Sequence, residues 1–258
     1  MAATANKFVW YDLMTTDIQA AEIFYAKVIG WEAKDSGMPG HPYTLFSADT
    51  VMVAGLMPMP PEVVARGARP GWNGYIGVDD VDACAARVKA SGGSVHHEPQ
   101  DIPQVGRYAV VGDPQGAVFM LFSPAGNPPA PPEVAPGSPG HVGWHELQAG
   151  DQQSAFAFYA DLFGWTKAEA VDMGPIGVYQ IFATGGPPVG GMMNKLPQIP
   201  APFWLYYFNV DNIDAAVARV GGEAGQVVNG PQQVPGGSWI AQCRDPQGAM
   251  FAMVGPRG

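Results

Sequence analysis

Two stretches of the sequence, Trp10-Tyr-Asp-Leu-Met-Thr-Thr-Asp17 and Trp144-His-Glu-Leu-Gln-Ala-Gly-Asp151, decide how the chain is organised. They lie 134 residues apart, and further matching pairs follow in the same order. These pairs are Phe24-Tyr25 and Phe158-Tyr159, Gly30-Trp31 and Gly164-Trp165, Val78-Asp79 and Val210-Asp211, and Asp113-Pro-Gln-Gly-Ala117 and Asp245-Pro-Gln-Gly-Ala249. Ordered landmarks at a nearly constant spacing indicate a tandem duplication.

A proline-rich segment separates the two copies. Residues 124–140 contain seven prolines, which favour an extended backbone and remove hydrogen-bond donors that a sheet would need. We therefore predict a first domain at residues 1–123, a linker at 124–140 and a second domain at 141–258.

Each copy is predicted to contain two modules with the element order β-α-β-β-β. The first strand, Phe8 to Met14, leads into a helix that Asp17 can cap and that Gly30 can end. A second helix, Val81 to Ala90, opens the next module, and the Asp-Pro-Gln-Gly sequence predicts a tight turn between its last strands. The predicted fold class is α+β, with four βαβββ modules.

Composition and charge exclude several classes of protein. The chain carries 13 Lys and Arg residues against 23 Asp and Glu residues, so no basic surface for nucleic acid is expected. Its uninterrupted apolar runs are too short to span a bilayer, and no membrane partner is expected. The two cysteines, Cys84 and Cys243, form no disulfide framework, and no secretory signal opens the chain. A cytoplasmic location is predicted.

The repeated strand motif, the Phe-Tyr and Gly-Trp pairs and the Asp-Pro-Gln-Gly turn resemble the vicinal oxygen chelate superfamily. This superfamily includes glyoxalase I, bleomycin-resistance proteins and extradiol dioxygenases, and the resemblance spans nearly the whole chain. It implies two tandem glyoxalase-like domains, whose curved mixed sheets each form a cup-shaped pocket for a small molecule. In metal-using members, His, Glu or Gln ligands come from the first and last strands of the modules.

The ligand positions that the resemblance implies carry no metal-binding side chain here. They are Trp10, Asn73, Met120, Trp144, Leu205 and Ala252, with two further positions near Gly55 and Gly191. Divalent ions need carboxylate, imidazole or thiolate donors, which none of these residues supplies. We predict no metal site of the family type and no cofactor, and a divalent metal with displaced ligands is left open.

Two carboxylates are the candidate catalytic groups. Strand alternation places Asp12 on one face with Trp10, and Glu146 on the corresponding face with Trp144. Because a carboxylate beneath a packed helix would be costly to desolvate, both should face the cups, where they could act as general acid or base. Alternatively, each hydrogen-bonds neighbouring backbone or a tyrosine and only polarises its cup. The predicted binding residues are Trp10, Asn73, Tyr75, Met120, Trp144 and Tyr207.

The histidines and cysteines are interpreted as structural residues without a role in chemistry. His96-His97-Glu98 is expected in a solvent-facing loop, because adjacent side chains point in opposite directions. His145 reaches a site only if the strand register differs by one residue. Cys84 and Cys243 are expected to be small buried side chains.

The leading hypothesis is a protein that binds a small carbonyl-bearing or aromatic organic molecule. Whether it is an enzyme is left open, with preference for metal-independent proton-transfer, lyase or isomerase chemistry by Glu146 or Asp12. The alternatives are a non-catalytic protein that sequesters an antibiotic or similar molecule, and a metal-dependent lyase or dioxygenase with displaced ligands. The expected assembly is a monomeric pseudo-dimer or a homodimer.

Overall fold

The computed structural model of the chain describes residues 5–38, 40, 42–126 and 132–258. The predicted linker, residues 124–140, therefore lies partly outside the described residues, at 127–131.

Both copies contain eight strands. In the first copy they are β1 Phe8–Thr15, β2 Glu32–Asp35, β3 Thr44–Ala48, β4 Val51–Pro58, β5 Gly71–Gly77, β6 Ser94–Ile102, β7 Gly106–Gly112 and β8 Val118–Pro124. In the second they are β9 Val142–Ala149, β10 Thr166–Asp172, β11 Val178–Ala183, β12 Pro188–Asn194, β13 Phe203–Asn209, β14 Gln226–Gln233, β15 Trp239–Arg244 and β16 Met250–Gly255. The helices are α1 Ile18–Val28, α2 Pro61–Ala65, α3 Val81–Ala90, α4 Gln152–Phe163 and α5 Ile213–Gly222.

The strands form two open eight-stranded sheets with the same internal order. The order is β2-β3-β4-β1-β5-β8-β7-β6 in the first sheet and β10-β11-β12-β9-β13-β16-β15-β14 in the second. The predicted α+β class and the four βαβββ modules are thus confirmed. Helix α2 was not predicted. The prediction of a loop at His96-His97-Glu98 is wrong, because these residues lie in β6.

The four longer helices begin with the same kind of cap. The side chains of Asp17, Asp80, Asp151 and Asn212 each accept a hydrogen bond from the backbone N–H three residues later. This contact satisfies an N–H group that the first helical turn leaves without a partner. The predicted cap at Asp17 is confirmed, and of the two aspartates before α3 it is Asp80 that caps.

The chain divides into two compact units, and each unit draws on both copies. Unit 1 comprises Met1–Trp10, Asn73–Pro131 and His145–Trp204, and unit 2 comprises Tyr11–Trp72, Pro132–Trp144 and Leu205–Gly258. Counting the βαβββ modules along the chain, unit 1 therefore contains most of the second and third modules. Unit 2 contains most of the first and fourth. The predicted boundaries at 123 and 141 follow the sequence repeat, whereas the compact units follow the packing.

A buried tyrosine joins the two modules of unit 2. The Tyr25 hydroxyl accepts a hydrogen bond from Nε1 of Trp72 at 2.9 Å and donates one to Oδ2 of Asp245 at 3.2 Å. The other oxygen of Asp245 accepts the backbone N–H groups of Gln247 and Ala249, which closes the Asp-Pro-Gln-Gly turn. One carboxylate thus holds both a turn of the fourth module and a helix of the first.

Unit 1 contains the same arrangement. The Tyr159 hydroxyl accepts from Nε1 of Trp204 at 3.0 Å and donates to Oδ2 of Asp113 at 3.2 Å. Burial raises the pKa of both Asp113 and Asp245, against the hydrogen bonds that favour their charged forms. We call each Trp–Tyr–Asp set a clasp: Trp72–Tyr25–Asp245 in unit 2 and Trp204–Tyr159–Asp113 in unit 1.

The repeated Gly-Trp pairs support the clasps. Trp31 stacks on Tyr25 with ring centroids 5.7 Å apart, and its Nε1 donates to the Gly140 carbonyl at 2.8 Å. Trp165 stacks on Tyr159 at 5.2 Å, and its Nε1 donates to the carbonyl of Asn6 at 2.8 Å. Trp165 therefore links the segment that precedes β1 to Tyr159. In the same way Trp31 links the segment that precedes β9 to Tyr25.

Among the described residues, the helices are all too short or too polar to cross a membrane. Cys84 and Cys243 are both buried free thiols, as the sequence predicted. Burial raises the pKa of Cys84 to about 11 and that of Cys243 to about 12, so both remain protonated near neutral pH.

Replacing Tyr25 with Phe should lower the free energy of unfolding by about 1–3 kcal/mol, because it leaves the buried Trp72 N–H without its acceptor. Tyr159→Phe should have a similar effect in unit 1. Urea unfolding followed by tryptophan fluorescence measures both changes. Tyr108→Phe, in a partly exposed ring that stacks on His97, is the matched control. Equal losses for all three variants would contradict a special role of the clasps.

Candidate functional site

The two candidate carboxylates lie at matching places in the sheets. Asp12 of β1 is 2% exposed and pairs in the parallel ladder with Gly55 of β4. Glu146 of β9 is 5% exposed and pairs with Gly191 of β12. Both carboxylates are therefore buried, and each stands directly beside a glycine.

In unit 2 a tyrosine occupies the space beside that glycine. The Tyr43 hydroxyl donates a hydrogen bond to Oδ1 of Asp12 at 2.7 Å. A Cβ atom on Gly55 would overlap both the Tyr43 hydroxyl and this carboxylate oxygen. The absence of a side chain at position 55 is thus what allows the phenol to reach Asp12.

Unit 1 repeats the arrangement with longer side chains. The Tyr179 hydroxyl donates to Oε2 of Glu146 at 3.2 Å, and a Cβ atom on Gly191 would overlap the Tyr179 ring. The Gln148 amide nitrogen donates to the other oxygen, Oε1, of Glu146 at 2.6 Å. Glu146 therefore accepts a hydrogen bond on each of its oxygens.

Both places combine a buried carboxylate with a phenol at hydrogen-bonding distance. We call them the carboxylate–tyrosine pairs, Asp12–Tyr43 in unit 2 and Glu146–Tyr179 in unit 1. A carboxylate accepts protons, and a phenol can donate a hydrogen bond to an oxygen that gains charge. Such a pair can therefore serve proton transfer without further groups.

These residues do not fit the metal site that the resemblance implies. Gly55 and Gly191 stand near two of the expected ligand positions, and tyrosine side chains fill the space that a ligand there would need. In the part of the chain that the structure describes, no cluster of three or more His, Cys, Asp or Glu side chains could hold a metal ion. At these places Asp12 accepts a hydrogen bond from a phenol, and Glu146 accepts one from a phenol and one from an amide.

The other predicted binding residues are divided between the units. In unit 1, Trp10 and Asn73 are half-buried, and the buried residues Tyr75 and Met120 are neighbours in the β5–β8 ladder. In unit 2, Trp144 is half-buried. Tyr207 is buried beside Ala252 in the ladder, and its hydroxyl accepts a hydrogen bond from Nε2 of Gln242 at 2.9 Å. Their contact with a ligand stays a prediction.

His145 has a structural environment. Its Nδ1 donates to the Val189 carbonyl at 2.7 Å, and its ring stacks on Phe8 with centroids 4.2 Å apart. Burial lowers the pKa of His145 to about 4, so the ring is neutral near pH 7. The exposed rings of His96 and His97 instead contact Ser94 and the Glu98 carbonyl. His96-His97-Glu98 thus has the solvent exposure that was expected, although in a strand.

An open cavity of about 500 Å³ in unit 1 lies around Arg107. The guanidinium of the partly buried Arg107 forms ion pairs with the exposed Asp82 at 2.6 Å and the exposed Asp101 at 2.8 Å. The hydrogen bond from Arg107 lowers the pKa of Asp82. Two acids already pair with this arginine, and Asp79 and Asp80 also line the cavity, so its lining carries an excess of negative charge and no unpaired cation.

The sequence did not single out Tyr43, Tyr179 or Gln148. The repeat does contain a signal for the two tyrosines, since each precedes its glycine, Gly55 or Gly191, by 12 positions. Gln148 shares a strand face with Glu146, as alternation along the strand predicts, but it was not among the predicted site residues.

Gly191→Ala should destabilise the protein by about 1–3 kcal/mol, because the added methyl group forces the Tyr179 ring to move. Chemical denaturation measures the loss. Gly186→Ala is the matched control, since a Cβ atom there meets nothing within 4 Å, and it should change stability by less than about 1 kcal/mol. A neutral Gly191→Ala variant would show that the close approach of Tyr179 is not required.

The wild-type protein should lose stability relative to His145→Asn as the pH falls from 7 to 5. The unfolded chain binds a proton at His145 near pH 6.5, whereas the folded chain does so only near pH 4, so acid favours unfolding. The expected relative loss is about 2 kcal/mol, measured by urea unfolding at each pH. His97→Asn, at an exposed ring, should follow the wild-type pH dependence, and a parallel course for His145→Asn would refute the prediction.

Comparisons with known proteins agree with the architecture. The sequence profile of the Glyoxalase/Bleomycin resistance protein/Dioxygenase superfamily matches residues 7–121 and 138–253. A protein named as a glyoxylase from Mycobacterium tuberculosis is 35% identical over 250 residues, covering 96% of this chain and 94% of the relative. An anthracycline biosynthesis protein from Streptomyces peucetius is 35% identical over 260 residues, covering 95% of this chain and 91% of the relative.

Solved structures show the same fold at low sequence identity. The Mn(II)-bound glyoxalase from Novosphingobium aromaticivorans superposes with a TM-score of 0.67 at 17% identity, covering 99% of this chain and 83% of the other. A 2,3-dioxygenase from Pseudomonas superposes with a TM-score of 0.64 at 12% identity, covering 96% and 91%. At these identities the likeness extends to the fold alone.

Proposed function

The chain belongs to the Glyoxalase/Bleomycin resistance protein/Dioxygenase superfamily, and from this membership we propose that it binds a small carbonyl-bearing or aromatic molecule and transfers a proton on it without a metal. Glu146 or Asp12 is the proposed general base. The observation that carries the proposal is the buried carboxylate–tyrosine pair, present in both copies. One class of reaction that fits is isomerisation or lyase chemistry beside a carbonyl group.

The pair supplies both groups that such a reaction needs. The carboxylate takes a proton from the carbon next to the carbonyl, and the electron pair of that C–H bond moves towards the carbonyl oxygen. The phenol turns its O–H from the carboxylate, which has now taken up the proton, to this oxygen and donates a hydrogen bond to it as it gains negative charge. Return of the proton to a different atom gives an isomer, with no net change in oxidation state and no second reactant.

The neighbours of the carboxylates support a metal-independent reaction. In related metal enzymes, as the resemblance implies, a second ligand would stand near Gly55 or Gly191, where this chain has no side chain. Tyr43 and Tyr179 lie in that space and hydrogen-bond the carboxylates directly. A metal ion at either place would first have to displace the phenol that lies there.

A second candidate function is the sequestration of an aromatic molecule without chemistry. It is favoured by the aromatic residues among the predicted ligand contacts, Trp10, Tyr75, Trp144 and Tyr207, together with Asn73 and Met120. A relative named as an anthracycline biosynthesis protein makes aromatic ketones a reasonable first set of ligands to test. In this case the carboxylate–tyrosine pairs would only fix the ligand's orientation.

The proposal includes a cytoplasmic location and a small-molecule ligand as the only partner class. The buried free thiols of Cys84 and Cys243 suit a reducing compartment. The net charge of −10 speaks against nucleic acid as a partner. Since each compact unit already combines two modules, a monomer that behaves as a pseudo-dimer is the proposed assembly, with a homodimer as the alternative.

Proton transfer can be tested by following deuterium exchange at the carbon beside the carbonyl of aromatic ketones and α-hydroxyketones by NMR, with a metal chelator present. Glu146→Gln, Asp12→Asn and the double variant should together identify the base, with a loss of about 100-fold or more in exchange rate. The matched control is Glu98→Gln, whose carboxylate is exposed and paired with Lys89.

Each outcome separates the candidates. A deuterium exchange rate that neither carboxylate substitution changes would contradict proton transfer by Glu146 or Asp12. Binding without exchange would favour sequestration. Exchange that stops when the chelator is added and returns with one metal would favour the metal-dependent alternative.

A further inference from the structure

Gln148 has a buried oxygen atom without a hydrogen-bond donor. The side chain is 5% exposed, and Oε1 has no partner among the described residues. Its amide nitrogen lies 2.6 Å from Oε1 of Glu146. A carboxylate only accepts hydrogen bonds, so the nitrogen of the amide has to face Glu146 and the oxygen has to face away from it. The hydrogen-bond network therefore determines which end of Gln148 lacks a partner.

The first copy has no counterpart to this oxygen. The residue that matches Gln148 at the repeat spacing of 134 is Met14, whose thioether is at best a weak acceptor. The rest of the arrangement is repeated, with a carboxylate, a tyrosine and a glycine in both copies. The two carboxylate–tyrosine pairs thus differ chiefly in the polarity of the side chain two positions further along the strand.

A buried acceptor without a donor is uncommon in folded proteins and is unfavourable. A ligand that brings a hydroxyl or N–H group to Oε1 removes this cost. A ligand of the same shape with a methyl group in that place leaves Oε1 without a hydrogen bond, so the unfavourable free energy remains. Sites of this kind discriminate strongly against analogues that lack the polar group.

We propose that Gln148 is a specificity-determining residue, which accepts a hydrogen bond from a hydroxyl or N–H group of the ligand held at Glu146 and Tyr179. The inference rests on the proposed function and narrows its ligand class. The second copy takes carbonyl compounds with a neighbouring hydroxyl or amide N–H. The first copy, with Met14, takes compounds that are apolar at the same place.

Two phenones that differ in one group test the proposal: α-hydroxyacetophenone and propiophenone, in which a methyl group replaces the hydroxyl. Calorimetric titration of the full chain should resolve one site, that of the second copy, at which α-hydroxyacetophenone binds about tenfold tighter than propiophenone. Gln148→Met, which installs the residue of the first copy, should remove this preference. Met14→Gln, the reciprocal variant, should create a second site with the preference for the hydroxyl compound.

Further readouts separate specificity from folding and from catalysis. Urea unfolding of Gln148→Met should show an intact cooperative transition, so that lost preference is not lost structure. Deuterium exchange of α-hydroxyacetophenone by wild type and Glu146→Gln reports on the proposed base. A tenfold preference without exchange would leave the specificity role of Gln148 standing and defeat the catalytic role of Glu146.

The opposite results would overturn the role of Gln148. A preference that persists in Gln148→Met, equal binding of both phenones at every site of the wild type, or no binding of either phenone would each do so. Increased stability of Gln148→Met with unchanged ligand affinities would show that Oε1 is an unsatisfied acceptor that no ligand reaches. Exchange that requires Glu146 but shows no hydroxyl preference would defeat this inference while the proposed function stands.

Discussion

The structure depends on one buried hydroxyl group in each unit, that of Tyr25 or Tyr159. Each hydroxyl receives the N–H of an indole and donates to an aspartate that also closes a turn. Because the aspartate and the tyrosine come from different copies of the repeat, this contact joins modules that are far apart in sequence. The stacked indoles of Trp31 and Trp165 then bring in the segments that lead to β1 and β9. The strands that hold the candidate carboxylates are positioned through these contacts.

Much of the fold could be predicted, because its landmarks are local. Helix caps, the glycine that ends α1 and the Asp-Pro-Gln-Gly turns are properties of a few adjacent residues, and their repetition revealed the duplication. The combination of modules into units could not be predicted in the same way. The contact between Tyr25 and Asp245 spans 220 residues, and neither residue alone indicates its partner. The motifs that carried the family resemblance are therefore largely the parts that hold modules together.

The candidate site was predicted in part. Alternation along β1 and β9 placed Asp12 and Glu146 on the strand faces of Trp10 and Trp144. Each carboxylate accepts a hydrogen bond from a tyrosine, and its catalytic role stays a prediction. The identity of those tyrosines was missed, since Tyr43 precedes its strand and no periodicity orients it. Their positions follow from the missing side chains at Gly55 and Gly191, and the 12-residue spacing of each tyrosine from its glycine indicates the repeat but not this contact. The exposure of the His96-His97-Glu98 sequence was anticipated from geometry, whereas its place in β6 was not.

Each unit is assembled from both copies of the repeat. This has a consequence for how such a chain could evolve and for what its two halves could do as separate polypeptides. A half-length ancestor that associated as a pair would already form two units of this kind, with modules exchanged between the partners. Fusion through a proline-rich joint would then convert a concentration-dependent association into an intramolecular one. The two halves, produced as separate polypeptides, would have to find each other before either could complete its clasp. A half-chain alone therefore contains no complete clasp, because its aspartate and its tyrosine belong to different units.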